Sequence, residues 1–598
     1  MKSYAVLPTG FPGSIQVEMN STINPKAMLK KRWVIPSHLP DVVDQALTAY
    51  PSYLRQILYN RGITDAVHAE QFLNAQPPTS TDPFLLTGMS RAVERIWQAI
   101  QQNEPLVIYG DYDVDGVTAT VLLVEVLRAL GAQVQPYIPN RFDEGYGLNI
   151  EALRNLYDSG VRLVITVDCG ARSLREADFA RSLGLDLIIS DHHHPGAELP
   201  NSVALINPKQ VEDIYPDKDL TGVGLAYKIA EGLLQTHPHP GVLASNWLDL
   251  VALGTIADMA PLVGENRTLV SAGMKQIRAK TRQGLYSLAQ TASMKIERTS
   301  AGDIGFILAP RLNAAGRLES ALSAFDLLIT PNPNQAGKLA QDLDAQNFER
   351  QRITRDVQKQ AEVIAQRENP GAALLFAADP NFNEGVLGLA ASRLTETFYR
   401  PAIVAHLGSE YTRGSCRSIP EFHITDALDQ CTDLLVRYGG HKAAAGFTVH
   451  NQNLSQLVTR LQTIAAQALE GLDLRPAIKA ECSLPLEMLT VEYEQTLFHF
   501  LNRLQPTGMG NPEPVFCARS LLVRSAQAVG KDASHLRFSV VDSLGVFHDA
   551  IAFRQGQWAG HMPRRIDIMY ALEKDDYYDP PRTKLNVKDI QETSSEGN

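Results

Sequence analysis

Leu106-Val107-Ile108-Tyr109-Gly110-Asp111-Tyr112-Asp113-Val114-Asp115-Gly116 decides how this chain is read. The short apolar run at its start reads as a buried strand. Three carboxylates follow at alternate positions, and the glycine after the last lets the chain turn sharply. Anions this close repel one another and lose hydration at a strand end, and bound cations are the usual compensation. Asp-x-Asp-x-Asp-Gly also opens an EF-hand calcium loop, which needs a Glu at its twelfth position and a helix before it. The twelfth residue from Asp111 is Leu122, and the preceding segment is strand-like, so calcium sensing is set aside. Standing alone, the motif reads by default as a solvated acidic turn.

Outward from it, apolar runs alternate with amphipathic segments. Strands are expected at Leu106–Tyr109, Gln133–Ile138, Leu163–Val167, Leu187–Ser190 and Val203–Ile206, and helices at Val117–Leu130, Ile150–Ser159, Leu174–Leu183 and Gly224–Leu234. That alternation predicts an α/β fold with a parallel sheet, in which ligands gather at the carboxyl ends of the strands. The acidic and imidazole residues fall there: Asp111, Asp113 and Asp115 after the first strand, Asp168 in Val167-Asp168-Cys169-Gly170, and Asp191-His192-His193 after Ser190. Asp258, in Gly254-Thr255-Ile256-Ala257-Asp258-Met259-Ala260, lies in or just after an apolar helix, where an unpaired charge is costly. Taken singly, each reads equally well without a metal, Asp168 as a helix cap, the histidines as surface or capping residues and Asp258 as an arginine partner. Together they offer only oxygen and imidazole ligands at one sheet edge, which points to a divalent metal site.

At 598 residues the chain is expected to hold about three or four domains. Its formal charge of −11 argues against nonspecific coating of DNA, though a local basic groove is compatible with it. The five cysteines are scattered, which suits a reducing cytoplasm and supplies no CxxC metal site. No apolar run is long enough to span a bilayer and the N-terminus has no signal pattern, so a cytoplasmic location with no membrane contact is expected.

Residues 1–85 are Pro-rich with helical stretches and carry no visible chemistry; 86–270 hold the acidic motifs. Residues 271–367 read as helical and end in a long polar connector from about Asn334 to Arg367. They include Arg311-Leu312-Asn313-Ala314-Ala315-Gly316-Arg317, two arginines around small residues. A second α/β unit is expected over 368–472, with Arg413-Gly414-Ser415-Cys416-Arg417-Ser418 and Gly439-Gly440-His441-Lys442-Ala443-Ala444-Ala445-Gly446-Phe447 as glycine-rich turns. Such turns bring backbone N–H groups near an anion, with Ser and Arg as further donors. Residues 473–598 carry Gly508-Met509-Gly510-Asn511-Pro512-Glu513-Pro514 and then short β-type runs, which suggest a small β-barrel.

The ordered set Asp-Tyr-Asp-Val-Asp-Gly, Val-Asp-Cys-Gly, Asp191-His192-His193 and Gly-Thr-Ile-Ala-Asp-Met-Ala resembles the DHH phosphoesterase family. The stretch from Gly439 to Phe447 resembles that family's accessory (DHHA1-type) domain. The arginine motif and the tail resemble its branch of exonucleases specific for single-stranded DNA. The match spans roughly residues 85 to 595. The resemblance implies 5′→3′ removal of nucleotides from single-stranded DNA in repair and recombination, a final OB-fold suited to single strands, and a cleft too narrow for duplex. It also suggests single-strand-binding protein and a RecQ-type helicase as partners. Some relatives carry a His where Tyr109 stands, and Asp111 is expected to take its place as a ligand.

On this basis two divalent cations, Mn2+ or Mg2+, are expected, with Asp111, Asp113 and Asp168 around the first, and Asp115, His192 and Asp258 around the second, and Asp168 bridging. Asp191 is expected to orient a histidine, and His193 to face the scissile phosphate. Arg141, Arg317, Ser415 and Arg417 are expected to form a pocket for the terminal 5′-phosphate, with Arg311, Asn313, Ser418 and His441 as further DNA or phosphate contacts. The competing readings are a DHH phosphoesterase acting on short oligonucleotides or cyclic dinucleotides, and a non-catalytic DNA-binding scaffold.

Overall fold

In the computed structural model, the described residues are 30–140, 144, 147–280, 282–318, 320–368, 371–575 and 582–593. Arg141 and residues 1–29 lie outside them. The chain divides into two units, one of residues 33–352 and 477–598, the other built on residues 353–476.

In the first unit, five strands form a parallel sheet: β1 (Leu106–Gly110), β2 (Val134–Tyr137), β3 (Leu163–Val167), β4 (Asp186–Ser190) and β5 (Ala204–Ile206), in the order β2-β1-β3-β4-β5. Successive residues of a strand face opposite sides, and both sides are covered, which is why these strands read as unbroken apolar runs. Ile108, Leu163, Ile165 and Ile188 enter one core with α1 (Met89–Gln101), α2 (Val114–Ala129), α5 (Gly222–Thr236) and α6 (Leu248–Ala257). Val107, Tyr109, Val164, Leu187 and Ile189 enter the other with α3 (Ile150–Asp158) and α4 (Leu174–Leu183). Helix α2 starts three residues before the expected Val117, because Asp113 caps it.

Further along lie α7 (Gly264–Arg278), α8 (Ala309–Leu318) and the connector α9 (Pro333–Glu368), which runs from one unit into the other. In the second unit, β6 (Leu375–Asp379), β7 (Ala402–Leu407), β8 (Tyr411–Arg417), β9 (Leu435–His441) and β10 (Ala444–His450) form a mixed sheet ordered β9-β10-β8-β7-β6, with helices α10 (Leu387–Phe398) and α11 (Leu454–Leu469). Two sequence expectations are corrected here. The stretches 413–418 and 439–447 are paired strands and a hairpin rather than glycine-rich turns. Gly414 pairs with Phe447, and a β-carbon on Gly414 would lie 2.3 Å from that ring, so the glycine makes room for a buried aromatic instead of a bend.

The C-terminal strands β11 (Phe516–Val529), β12 (His535–Val541), β13 (Phe547–Ala552), β14 (Arg565–Asp575) and β15 (Arg582–Glu592) close into a barrel, β11-β12-β13-β15-β14 and back to β11. The N-terminal region, silent in sequence, has a structural place. Helices Asp41–Ala46, Ser52–Asn60 and Ala66–Leu73 bury Leu47, Leu54, Ile57 and Leu58 in one core with barrel residues Phe516, Phe538 and Tyr570 and with Leu497 of α12 (Val491–Arg503). Ile57→Ala, at a site 0% exposed, is expected to cost about 2–4 kcal/mol and lower the melting temperature of this unit; an unchanged transition would show that the helices are not part of its core.

Candidate metal centre

Three pairs fix the register of the sheet's carboxyl edge: Gly110 with Val167, Val167 with Ser190, Ser190 with Ile206. The next residue of each strand is therefore Asp111, Asp168, Asp191 and Asn207, side by side. The chain leaves β1 toward β2 on one side and returns to β3 on the other. Asp111 and Asp168 thus flank the switch point, where open α/β sheets bind ligands.

Helix starts hold two of the carboxylates, and backbone conformation places the others. Asp113 caps α2, accepting from the N–H groups of Asp115 (3.0 Å) and Gly116 (3.1 Å). Asp115, in the first turn of α2 and 1% exposed, accepts from Gly222 N–H (2.6 Å) and Val223 N–H (2.9 Å) at the start of α5, where the helix dipole favours an anion. Asp168 sits at φ 65°, a left-handed conformation that Asp tolerates better than most residues. Asp258 is the C-terminal cap of α6. Two glycines allow the close approach. A β-carbon on Gly116 would lie 2.6 Å from the Asp111 backbone, and one on Gly222 would lie 2.6 Å from Asp168 Cβ.

His192 Nε2 lies 3.1 Å from Asp168 Oδ1 and 3.9 Å from both Asp115 Oδ2 and Asp258 Oδ2. That nitrogen is buried and makes no hydrogen bond, so an unpartnered imidazole nitrogen faces the carboxylates of Asp115, Asp168 and Asp258. Two triads have ligand atoms within 4.8 Å of one another: Asp111, Asp113 and Asp168, and Asp115, His192 and Asp258. Asp168, His192 and His193 form a third, overlapping group, so the sets join through the Asp168–His192 contact. This donor set fits divalent cations. Burial, then the neighbouring acids, pushes the Asp115 and Asp168 carboxyls well above their usual range. Burial and Asp113 push Asp258 up to about 7. Burial and the adjacent His193 lower His192 to about 3, keeping it neutral and able to ligate.

Asp191 differs. It accepts from Ala171 N–H (2.8 Å), His193 N–H (3.1 Å) and His193 Nδ1–H (2.8 Å). Burial alone would raise its carboxyl, but these bonds lower it. Burial alone would likewise lower His193, but the bond to Asp191 raises it. Sequence reasoning missed the supports of this loop. Asn207 Nδ2 donates to the His193 carbonyl (2.8 Å) and Lys209 Nζ to the His192 carbonyl (2.7 Å). The signal was present, since Asn207 directly follows a strand and Thr221-Gly222 is a capped helix start.

Of the expected DNA contacts, Asn313 faces the metal loop, its Oδ1 accepting from Val114 N–H (3.1 Å). Arg311 pairs with Asp344 (2.8 Å), tying α8 to α9. Arg317 lies on α8 next to Gly316, where a β-carbon would lie 2.5 Å from the Tyr112 carbonyl. In the other unit, Arg417 donates to Ser415 Oγ (3.2 Å) and the Cys416 carbonyl (2.8 Å), with Gly388 of α10 against both side chains. Ser418 Oγ donates to the Phe422 carbonyl (2.8 Å), and His441 is exposed at the end of β9. Tyr109 is buried, and its hydroxyl donates to the Gly147 carbonyl (3.1 Å).

A parallel sheet with aspartates and a histidine pair massed at its switch point defines a DHH-type phosphoesterase site. Matching family models are the DHH family N-terminal domain over residues 105–255, the DHHA1 domain over 371–467 and the RecJ OB domain over 481–589. The chain is 37% identical to the single-stranded-DNA-specific exonuclease RecJ of Bacillus subtilis, over 94% of this chain and 71% of that one. It is 34% identical to RecJ of Dickeya dadantii, over 95% of this chain and all of that one. A crystal structure of Thermus thermophilus RecJ in complex with Mn2+ superposes with a TM-score of 0.80 at 30% identity, covering 94% of this chain and 80% of that one. The chain belongs to the RecJ family of DHH proteins, and its C-terminal barrel is the family's OB domain.

Gly222→Ala is expected to destabilise the first unit by about 1–3 kcal/mol, because its β-carbon must part α5 from Asp168. A melting curve identical to that of the parent would show that this contact is loose.

Proposed function

We propose that this chain is a metal-dependent exonuclease specific for single-stranded DNA, releasing nucleotides from the 5′ end. The observation that carries the reading is the pair of carboxylate-rich triads joined through Asp168 and His192, in a chain whose full-length relatives are named for this activity.

In this reading Asp111, Asp113 and Asp168 would hold one divalent cation and Asp115, His192 and Asp258 the other, with Asp168 beside His192 where the two sets meet. Mixed carboxylate and imidazole donors suit Mn2+, with Mg2+ as its substitute. Bound there, the ions lower the pKa of a water and neutralise charge on the phosphodiester and its leaving oxygen. The chain's own residues do the rest. His193, with Nδ1 held by Asp191 and its pKa raised, presents Nε2–H to the scissile phosphate. Asn207 and Lys209 fix the backbone that carries both histidines. Arg417, a partly buried guanidinium with no carboxylate partner among the described residues, is suited to a terminal phosphate together with Ser415. His441 and Ser418, in the same unit, line the path of the strand in the proposal. The closed C-terminal barrel favours a polymer over a dinucleotide substrate. A cytoplasmic setting, with single-strand-binding protein and a RecQ-type helicase as partners, completes the reading. The five cysteines are unpaired, and no helix among the described residues is long and apolar enough to cross a membrane.

The test is digestion of 5′- and 3′-labelled single and double strands with Mn2+, Mg2+ or chelator. Metal-dependent loss of the 5′ label from single strands is expected. Asp168→Asn, which keeps the left-handed backbone accessible, should slow it about 10³-fold or more, or about 4 kcal/mol of barrier. Parental activity in that variant, or in chelator, contradicts the mechanism. Arg417→Ala should abolish the preference for 5′-phosphorylated over 5′-hydroxyl ends. An unchanged preference removes Arg417 from the pocket.

A further inference from the structure

The motif Gly508-Met509-Gly510-Asn511 lies against the chain that carries Asp258. Helix α6 ends in a Schellman turn, with Met259 N–H donating to the Ile256 carbonyl (3.1 Å) and Ala260 N–H to the Thr255 carbonyl (3.3 Å). The left-handed position of that turn is usually glycine. Here it is Met259, at φ 58°, where a side chain costs about 1–2 kcal/mol. A strained helix end needs support from outside, and the next residues receive it.

Leu262 N–H donates to the Met509 carbonyl at 2.7 Å. A β-carbon on Gly508 would lie 2.8 Å from Leu262 Cδ1, and one on Gly510 would lie 3.2 Å from Pro261 Cβ, so the turn is seated on residues 261–262. Gly508 and Asn511 close the turn on each other, N–H to carbonyl, at 2.8 and 3.2 Å. Asn511 is 0% exposed. Its Nδ2 donates to the Leu504 and Pro506 carbonyls (2.8 Å each), and its Oδ1 accepts from Arg61 Nε (2.8 Å). On the other side Arg267, in the first turn of α7, donates to the same Leu504 and Pro506 carbonyls (2.8 and 3.2 Å) and to those of Phe72 and Arg503. The segment between Asp258 and α7 is therefore clamped from both ends by chain that precedes the barrel.

We propose that residues 508–511, anchored by Asn511, are a positioning element of the metal centre, holding Asp258 where it can share a cation with Asp115 and His192. Asn511 touches no substrate; it acts through Met509, Leu262 and the end of α6. The inference rests on the metal reading above, and its signature is selective. Only the cation held by Asp258 depends on the turn, whereas Asp111 and Asp168 are set by the sheet and Asp113 by the start of α2.

The test is Mn2+ titration of the full-length protein, read by calorimetry and by electron paramagnetic resonance of free Mn2+. Asn511→Ala and the milder Gly508→Val are compared with Phe538→Leu, a barrel-core change that lowers stability elsewhere. In both turn variants one of two Mn2+ sites should weaken about tenfold or more, with the other within about twofold of the parent and the metal-free circular dichroism spectrum unchanged. Phe538→Leu should lower the melting temperature and leave both affinities alone. Two parental affinities in both turn variants overturn the inference, as does equal weakening of both sites, or weakening in Phe538→Leu as well. A parent that takes up no Mn2+ instead overturns the metal reading itself.

Discussion

Mutual repulsion among buried aspartates is the constraint on which this structure turns. Asp111, Asp115 and Asp168 are buried and Asp113 and Asp258 partly so; burial first, and then their nearness to one another, raises the pKa of Asp115, Asp168 and Asp258. A fold keeps such a cluster only if something pulls each carboxylate inward. Backbone N–H groups at helix starts do this for Asp113 and Asp115, at about 1.5–3 kcal/mol for each charge-assisted bond. The remainder of the repulsion is what a divalent cation is suited to cancel.

The surrounding architecture follows from that need. The strand register sets Asp111, Asp168 and Asp191 in one row, and the order of the strands opens the switch point between the first two. Glycines stand where helices must come closest, at 116 beside Asp111 and at 222 beside Asp168. Asp191 plays the opposite part. It is fully hydrogen-bonded and serves to orient His193. The N-terminal helices, the chain before the barrel and α7 meet through Arg61, Asn511 and Arg267, so distant parts of the sequence reach the segment that carries Asp258.

Much of this was legible in the sequence because parallel strands covered on both faces announce themselves as apolar runs, and polar residues at their ends stand out. All five strands of the catalytic sheet fall within a residue or so of their expected bounds. The misses have physical reasons. Helix α2 begins early because a capping side chain, not periodicity, sets its start. Glycine-rich stretches near 414 and 440 are strands, since glycine can serve a neighbour's bulk as well as a turn. Residues 33–75 gave no chemical signal because their role is packing against a barrel more than 400 positions away, which no local pattern records. The gripping of Asp115 by the start of α5 was likewise invisible, being a contact between segments 107 residues apart.

Two cations, one in each triad, are what this convergence of carboxylates demands. Anomalous diffraction at the manganese edge, from crystals of the protein grown with Mn2+, tests it most directly. Two peaks are expected, one among Asp111, Asp113 and Asp168 and the other among Asp115, His192 and Asp258. A cluster without a peak, with those side chains turned from one another, would contradict it.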